Sequence, residues 1–413
     1  MPDDSGRQSG WYAVGAALTA SGCALFPLGL TTTPRSRTLQ FLGLIAFVAG
    51  LAVIICTMIA RRPPATPGPT RFQIITVVAS LLAMGVGGFA IFNQGQPGRS
   101  QPTGSSKKAV SVYSGDSYGF IVPWRIAVDG AHVWVTNKVG DSVTELNASD
   151  GSWAQTLVGG SYGFGAPEGI AVDGTHVWIG NSDGDTVTEL NASDGSWVQT
   201  LSGASYGFND PHAITAGGPN VWVANNLSNS VTELNASDGS WVRTLSGGSY
   251  RFAGPSAIAV DGTHVWVTNW TGDSVTELNA DDGSWVRTLS GGSYRFDDPE
   301  GIVVDGTHVW VTNSGGDTVT ELNASDGSWV QTLSGASYRF DDPWKIAVDG
   351  THIWVTNNLG DSVTELNASD GSWVQTLSGG SYGFNAPQGI AVDGTDVWVT
   401  NDAGNSVTEL PTG

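Results

Sequence analysis

Residues 306–323 read GTHVWVTNSGGDTVTELN, and close copies of this stretch occur seven times in the 413-residue chain. The copies return with a fixed period of 44 residues and without insertions. A fixed period of this length indicates a solenoid or a propeller, in which each repeat is one unit that buries its apolar face against the next. The period is counted from the serines that begin the copies: Ser117, Ser161, Ser205, Ser249, Ser293, Ser337 and Ser381.

Each of the first six copies contains four short segments that are typical of β-strands. In the fifth copy these are residues 301–304, 309–312, 318–322 and 329–333, which are rich in Val, Ile, Thr and Trp. Residues of these types favour strands, and Asp-Gly or Gly-Gly-Asp turns separate the segments. Four antiparallel strands per repeat make one blade of a β-propeller. The sequence therefore predicts an all-β propeller.

The two ends of the repeat region predict how the propeller closes. The seventh copy stops at Leu410, before its fourth strand. One period ahead of the first copy, residues 109–113 match a fourth strand that has no blade of its own. We therefore expect this strand to complete the last blade, which gives a single propeller of seven four-stranded blades over residues 109–413. Such closure removes the open sheet edges that a linear stack would leave.

Three apolar stretches precede the repeats, at residues 11–30, 40–60 and 72–92, and none of them contains a charged side chain. Each has about the 20 residues that a helix needs to cross the hydrocarbon core of a membrane. The sequence therefore predicts a membrane block of about three transmembrane helices in residues 1–92. A linker rich in Gly, Pro, Ser and Gln follows at residues 93–108.

The location of the propeller depends on the orientation of this block. The basic residues that flank the three stretches are nearly balanced between the two sides of the membrane, so the positive-inside rule does not decide the orientation. The repeats are poor in Lys and rich in Thr, Ser and Trp. This composition favours an extracytoplasmic propeller that is anchored in the cell membrane.

The repeat region is strongly acidic, with eight basic and 36 acidic residues in 109–413. A field of that sign repels phosphate backbones, which argues against nucleic acid as a partner. Both cysteines, Cys23 and Cys56, lie in the apolar stretches, so no disulfide framework holds the repeats. The sequence contains no phosphate-binding loop motif, CxxC pair or HExxH motif.

Two kinds of repeated residue are interpreted as structural. We expect the Trp residues of the second and fourth segments, such as Trp310 and Trp329, to fill the core between blades, because blade faces pack on their neighbours. Five histidines follow an Asp-Gly turn, and we expect them to support that turn rather than to bind metal or catalyse. They are His132, His176, His264, His308 and His352.

The repeat resembles a known class of propeller repeats. VWVTN, followed by GDSVTELNASDGSWVQTLSG and then by the pattern P-x-G-I-A-V-D-G, resembles the YVTN and NHL repeats and is similar to the repeats of streptogramin (virginiamycin B) lyases. The resemblance covers residues 109–413 and implies a β-propeller. The class includes binding modules, kinase sensor domains and enzymes, so it implies no single activity. The catalytic residues of the lyases have no counterpart that the sequence identifies.

The copies differ from one another mainly on one face. The turns VDGT and NASDGS recur in most copies, whereas the segments between blades and the turns after the second strand vary. Loops on a rigid scaffold are where binding residues usually lie. The alternative is that these loops are unconstrained and have drifted. The residue after the repeated Pro varies most in chemistry: Trp124, Glu168, His212, Ser256, Glu300, Trp344 and Gln388.

These observations predict a membrane-anchored, monomeric propeller that binds or senses a protein or a small molecule through this face, with no required cofactor. Aromatic residues and Arg are the usual anchors of binding sites. The predicted ligand-binding residues are Trp124, Arg125, Glu168, His212, Trp270, Glu300, Trp344, Lys345 and Gln388.

Two other function classes fit the sequence. One is an enzyme of lyase or lactonase type, with a divalent metal at the mouth of the channel. Glu168, His212 and Glu300 would be its ligands, because carboxylates and imidazole suit such ions. The other is a structural surface protein whose propeller only spaces or displays other parts.

Overall fold

The computed structural model describes residues 108–412, and these form 28 strands and one 3-10 helix at Trp270–Gly272. None of the described residues belongs to a helix that is long and apolar enough to cross a membrane, and the three predicted spans lie outside the described range. In chain order, β1 to β28 are Ser111–Ser114, Pro123–Val128, His132–Asn137, Ser142–Asn147, Trp153–Val158, Pro167–Val172, His176–Asn181, Thr186–Asn191, Trp197–Leu201, Pro211–Gly217, Asn220–Asn225, Ser230–Asn235, Trp241–Ser246, Pro255–Val260, His264–Asn269, Ser274–Asn279, Trp285–Ser290, Pro299–Val304, His308–Asn313, Thr318–Asn323, Trp329–Leu333, Pro343–Val348, His352–Asn357, Ser362–Asn367, Trp373–Ser378, Pro387–Val392, Asp396–Asn401 and Ser406–Pro411.

The strands form seven antiparallel sheets of four strands each, which are the blades of a closed propeller. Six blades consist of four consecutive strands, from β2-β3-β4-β5 in blade 1 to β22-β23-β24-β25 in blade 6. The first strands of neighbouring blades contact one another around the ring, and the contact between β26 and β2 closes it. The predicted all-β, seven-bladed fold is confirmed.

The antiparallel order gives the propeller two distinct faces. Turns between the first and second strands and between the third and fourth strands lie on one face, which we call the turn face. Turns between the second and third strands and the connections between blades lie on the other, which we call the variable face. The repeated Asp-Gly turns therefore all lie on the turn face, and the residue after each Pro lies on the variable face.

Blade 7 has the order β1-β28-β27-β26, so the amino-terminal strand completes it as predicted. The strand covers Ser111–Ser114, slightly later than the predicted 109–113. The side chain of Lys108, just before this strand, contacts Asp396 Oδ2 at 2.7 Å and Glu409 Oε1 at 2.5 Å. Tyr113 donates a hydrogen bond to Glu409 Oε2 at 2.6 Å. Ionic and hydrogen-bonding contacts thus reinforce the backbone pairing that closes the ring.

The Trp residue of each second strand is buried between blades, which confirms the first structural interpretation. Trp310 is fully buried and packs on Phe340, Ile353 and Val355 of blade 6. Its indole N–H donates to Asp305 Oδ2 at 3.1 Å, so its polar atom is also satisfied. The seven residues of this set are Trp134, Trp178, Trp222, Trp266, Trp310, Trp354 and Trp398.

The Trp residue that begins the fourth strand in blades 1 to 6 is exposed, so the prediction that it fills the interblade core is wrong. Trp153 and Trp329 are 47% and 46% exposed. The fourth strand is the outermost of its blade, and the indole N–H of Trp329 donates to Thr332 Oγ1 of the same strand at 3.0 Å. These side chains therefore remain on the outer strand and do not enter the space between blades.

The histidines after the Asp-Gly turns support those turns, as expected. The backbone N–H of His176 donates to Asp173 Oδ1 at 2.7 Å. Its ring nitrogens lie 3.3 Å from Asp173 Oδ2 and 3.5 Å from Glu189 Oε1. In blade 7 this place is taken by Asp396, and Lys108 supplies the positive charge beside it.

Candidate functional site

The residue after each repeated Pro lies in a β-bulge at the start of the first strand. In blade 3, Pro211 pairs with Asn225, and the register shifts before Ala213 pairs with Ala224. A bulge of this kind follows the Pro in all seven blades. Bulges redirect a side chain and are common beside functional sites. The seven side chains after Pro therefore do not follow the regular alternation of side chains between the two faces of the sheet.

The residue before each Pro is fixed by hydrogen bonds on both sides. Val122 has a left-handed φ of 57°, and its N–H donates to Asn405 Oδ1 of blade 7 at 2.8 Å. Its carbonyl accepts from the N–H of Lys138, in the second-to-third turn of its own blade, at 3.0 Å. These contacts join neighbouring blades on the variable face and hold the strand starts in place.

Glycines let neighbouring first strands approach closely at two points of the ring. A Cβ on Gly301 would lie 2.8 Å from the carbonyl oxygen of Trp344, and one on Gly389 would lie 2.8 Å from that of Trp124. Real Cβ atoms do not approach other atoms this closely, so these positions require glycine. The residues that follow on the neighbouring strands are the long cations Lys345 and Arg125.

Gly180 has a similar effect between blades 2 and 3. Five other blades have Thr at this place in the second strand, and Thr312, for example, donates to the carbonyl oxygen of Trp344 in the next blade at 2.9 Å. A Cβ on Gly180 would collide with the carbonyl oxygen of Pro211. The missing side chain therefore gives room for the first strand of blade 3, which carries His212.

Four side chains from three blades form a continuous polar chain at the mouth of the channel. Lys138 Nζ lies 2.7 Å from Glu168 Oε1, and His212 Nδ1 lies 2.7 Å from Glu168 Oε2. Arg125 Nη2 lies 3.4 Å from His212 Nε2. The separation of 2.7 Å places the Nδ1 atom of His212 in direct contact with the carboxylate of Glu168. Arg125 approaches the other ring nitrogen, Nε2.

Glu168 is ionised in this arrangement. Burial raises the pKa of its carboxyl, but the hydrogen bond and charge of His212 and the charge of Lys138 outweigh this and bring the pKa to about 2. An opposite charge and hydrogen bonds to the charged form both favour ionisation. A carboxylate with such a low pKa is a fixed negative charge at neutral pH.

Glu300 lies in a different environment, on blade 5. Lys345 Nζ of blade 6 is 3.2 Å from Glu300 Oε2 and also donates to the backbone carbonyl of Glu300. Burial raises the pKa of Glu300 to about 7, against the charges of His212 and Arg125, which lower it. Two carboxyl groups at the same repeat position are thus driven in opposite directions by their surroundings.

Two partly buried Trp side chains flank Gln388 at the mouth. Lys138 Nζ lies 4.2 Å from the ring centre of Trp124, and Lys345 Nζ lies 5.9 Å from that of Trp344, both within cation–π range. Within the range 108–412, the indole nitrogens of Trp124 and Trp344 and the Oε1 atom of Gln388 are buried without a hydrogen-bond partner. Unpaired buried polar groups are rare in folded proteins and call for an explanation.

Trp270 is set apart from the other predicted residues. It begins the 3-10 helix Trp270–Gly272 in the second-to-third turn of blade 4, and 41% of its surface is exposed. Its backbone N–H donates to the carbonyl of Gly254 at 2.8 Å. Among the described residues, no hydrogen bond or ring contact links its side chain to the rest of the predicted set.

The channel itself is narrow where Arg125 and Lys345 reach into it. A cavity of about 130 Å³ is lined by these two residues together with small residues of the inner strands, including Gly169, Ala213 and Ser256. Sites for drug-sized ligands are commonly about 300–1,000 Å³. The channel therefore accepts only a small group, and the rest of any larger ligand has to lie over the mouth.

Among the described residues, one set of potential metal ligands occurs, and it differs from the predicted set. Donor atoms of Glu168, Asp210 and His212 lie within 4.8 Å of one another, whereas Glu300 contacts Lys345 instead. Carboxylate oxygen and imidazole nitrogen suit divalent cations. In this structure both carboxylate oxygens of Glu168 are already occupied, one by Lys138 and the other by His212. A metal ion would have to displace these contacts.

The sequence interpretation omitted three residues that shape this site. Lys138 neutralises Glu168, Asp210 lies beside His212, and Gly180 gives room for the strand that carries His212. Two of the three, Lys138 and Gly180, depart from the repeat in a visible way, whereas Asp210 recurs as Asp298 and Asp342. Lys138 is the single basic residue at its repeat position, in a region with few lysines, and Gly180 interrupts the recurring VWVTN as VWIGN.

No protein-family model and no curated protein matches the chain. Solved propeller structures match its fold. Hydrazine synthase from Kuenenia stuttgartiensis matches with a TM-score of 0.61 and 18% identity, over 71% of this chain and 96% of the other. Virginiamycin B lyase from Staphylococcus aureus matches with a TM-score of 0.59 and 16% identity, over 74% and 99%. A streptogramin B lyase matches with a TM-score of 0.58 and 17% identity, over 73% and 96%. At these identities the likeness is one of fold.

Proposed function

We propose that this chain is a membrane-anchored binding module that takes a small molecule at the mouth of its propeller channel, on the variable face. The observation that carries the proposal is the group of unpaired polar atoms in blades 6, 7 and 1. The indole N–H groups of Trp344 and Trp124 and the Oε1 atom of Gln388 have no partner among the described residues. Each such group costs about 1–3 kcal/mol, and a ligand that pairs with them would recover part of that cost.

The surroundings of these atoms also support binding. Trp124 and Trp344 offer large aromatic surfaces, which are the usual anchors of binding sites. The bulges, the interblade hydrogen bonds and the buried ion pairs hold the side chains on a rigid frame. The first described residue, Lys108, lies on the turn face, at the opposite end of the blades from the variable face.

Ligand-observed NMR on the purified full-length chain, with a library of small molecules, tests this proposal. Compounds that bind the mouth should lose about tenfold or more in affinity in Trp124→Ala and in Trp344→Ala. Trp270→Ala is the matched control, because Trp270 is exposed on the same face but lies apart from the mouth. Equal losses in all three variants, or binding unaffected by any of them, would contradict a site at the mouth.

The membrane anchor rests on the three uncharged stretches in residues 1–92. We expect the full-length chain to partition with membranes, and a reporter fused after Gly413 to be active only outside the cytoplasm. Release of the chain by carbonate washing would contradict integral insertion. A reporter active in the cytoplasm would reverse the orientation and leave the insertion standing.

A second candidate function is catalysis, of the lyase or lactonase type. Its support is the contact between His212 Nδ1 and Glu168 Oε2 at 2.7 Å, since a carboxylate in this place orients an imidazole that acts as a general base. In the present arrangement Nε2 of this imidazole contacts Arg125 at 3.4 Å. A substrate would therefore have to displace the guanidinium before His212 could take a proton.

A further inference from the structure

Resting on the proposed function, we infer that the ligand carries an anionic group, of the carboxylate class, which is bound by the guanidinium of Arg125 at the channel mouth. The larger, planar part of the ligand then lies between Trp124 and Trp344.

The first support is the distribution of basic residues. Residues 109–413 contain only eight, against 36 acidic residues. Three of the eight lie at the mouth: Arg125, Lys138 and Lys345. Lys138 contacts Glu168, Lys345 contacts Glu300, and Arg125 contacts His212. Two more, Arg243 and Arg287, pair with Glu233 and Glu277 on the outer part of their blades. A cluster of cations in so acidic a domain favours an anionic ligand.

The second support is that Arg125 lacks a carboxylate partner. Lys138 pairs with Glu168, and Lys345 pairs with Glu300. Within the described residues, Arg125 forms no ion pair, and the one polar contact of its guanidinium is with His212 at 3.4 Å. A guanidinium has five N–H donors arranged to grip a carboxylate with two parallel hydrogen bonds. Most of these donors remain available to a ligand.

The third support is the enclosure of this guanidinium. Arg125 lines the narrow cavity together with Lys345. Removal from water lowers the pKa of Arg125, whereas the charges of Glu300 and Glu168 raise it. An enclosed cation without an ion-pair partner costs free energy. An anion that binds it there interacts more strongly than in open solvent, because less water competes for the guanidinium. The cavity of about 130 Å³ has ample room for a carboxylate group beside the guanidinium.

The acidic groups around the mouth restrict the charge that the ligand can carry. Asp210 and Asp402 lie near Lys138, and burial raises the pKa of both carboxyls. Glu168 and Glu300 face Arg125 from blades 2 and 5. This ring of acids repels a ligand with several negative charges and tolerates one that carries a single charge. A planar monocarboxylate fits these conditions better than a polyanion such as a nucleotide.

The test uses three probes of nearly equal shape on the full-length chain: benzoate, benzamide and benzylamine. They differ at one end, which is anionic, neutral and cationic in turn. We expect benzoate to bind about tenfold more tightly than benzamide, because a charge-assisted pair with Arg125 replaces a neutral hydrogen bond. In Arg125→Gln this preference should vanish. In Arg125→Lys it should persist in reduced form, and a melting temperature of Arg125→Gln close to that of the parent chain shows that its lost preference does not reflect unfolding.

Arg243→Gln is the matched control, because it removes a guanidinium that is paired with Glu233 at 2.9 Å far from the mouth. It should keep the preference for benzoate. Equal binding of benzoate and benzamide, or tightest binding of benzylamine, would overturn the inference while leaving a small-molecule site at the mouth. If library compounds bind through Trp124 and Trp344 but benzoate does not bind, the anionic class is likewise wrong and the small-molecule site stands. If neither the probes nor the library bind there, the proposed function fails as well.

Discussion

The Nδ1 atom of His212 lies 2.7 Å from the Oε2 atom of Glu168, although the two residues are one full repeat apart and belong to different blades. In the same pair of blades, Gly180 of β7 faces the carbonyl of Pro211 in β10, where a Cβ would collide with it. Gly180, which replaces the Thr of most other copies, thus occurs in the pair of blades that brings Glu168 and His212 together.

This relationship predicts the effect of restoring the repeat residue. In Gly180→Thr the added side chain would collide with the carbonyl of Pro211, so we expect β10 to move outward and the Glu168–His212 contact to lengthen or break. Overpacking of this kind typically costs about 1–3 kcal/mol. NMR of the His212 ring should show loss of the Nδ1–H hydrogen bond, together with a lower melting temperature.

The matched control is Thr312→Gly, the reverse change at the same repeat position in blade 5. It removes the hydrogen bond to the carbonyl of Trp344 and should lower stability without changing the signal of His212. An unchanged His212 signal in Gly180→Thr would mean that the glycine does not govern the approach of the strand.

Replacement of Trp side chains should separate the core from the mouth. Trp310 is fully buried between blades 5 and 6, so Trp310→Ala should lower the free energy of unfolding by about 3–5 kcal/mol. Trp124 and Trp344 are only partly buried, and their Ala variants should melt close to the parent chain. If all three variants melt equally early, the residues at the mouth belong to the core, and the proposed site loses its main support.

The two carboxyl groups at the mouth should give stability profiles of opposite sign. Burial raises the pKa of Glu300 from 4.5 to about 7. Between these values the folded protein holds a proton that the unfolded chain has released, so the contribution of Glu300 to stability falls as the pH rises from about 4.5 to 7. Glu300→Gln cannot lose a proton, and its melting temperature should gain on that of the parent chain between pH 4 and pH 8.

Glu168 provides the opposite case. Its pKa is lowered from 4.5 to about 2, mainly by His212 and Lys138 acting against burial. Its stabilising contribution is therefore present above about pH 4.5 and is lost as the pH falls toward 2. Glu168→Gln should be less stable than the parent chain at neutral pH, and the difference should shrink in acid. Parallel profiles of the two variants would contradict the opposite environments of the two carboxyls.

The closing blade makes a prediction about Lys108. Its side chain contacts Asp396 and Glu409, two almost fully buried carboxylates. Lys108→Met removes their counter-charge, and leaving buried acceptors unpaired costs about 1–3 kcal/mol. We expect an earlier melt for this variant.

A second substitution tests the cause of that loss. In Lys108→Met combined with Asp396→His, the histidine takes the place that His176 has between Asp173 and Glu189 in blade 2. Partial recovery of the melting temperature would support this explanation. A single variant that melts with the parent chain would show that backbone pairing alone closes the ring.

The fold was largely predictable because local and periodic sequence patterns determine it. Strand propensity, turn residues and the 44-residue period are properties of neighbouring residues, and they sufficed for seven blades and for the closing strand near residues 109–113. The same reasoning failed for Trp153 and Trp329, because a residue type alone does not reveal whether its strand is inner or outer. Those side chains lie on the exposed outermost strand of each blade.

The site was predictable only in part. Comparison of the copies identified Trp124, Glu168, His212, Glu300 and Trp344 as residues of one repeat position, since that comparison needs no structure. The sequence alone determined which residues stand at the start of each first strand. Their pairing was decided by the tertiary structure: Glu168 with Lys138 and His212, Glu300 with Lys345, and Arg125 without a carboxylate. The physical reason is that ion pairing depends on separations of a few ångströms, and these arise from how closely blades approach at positions such as Gly180 and Gly389.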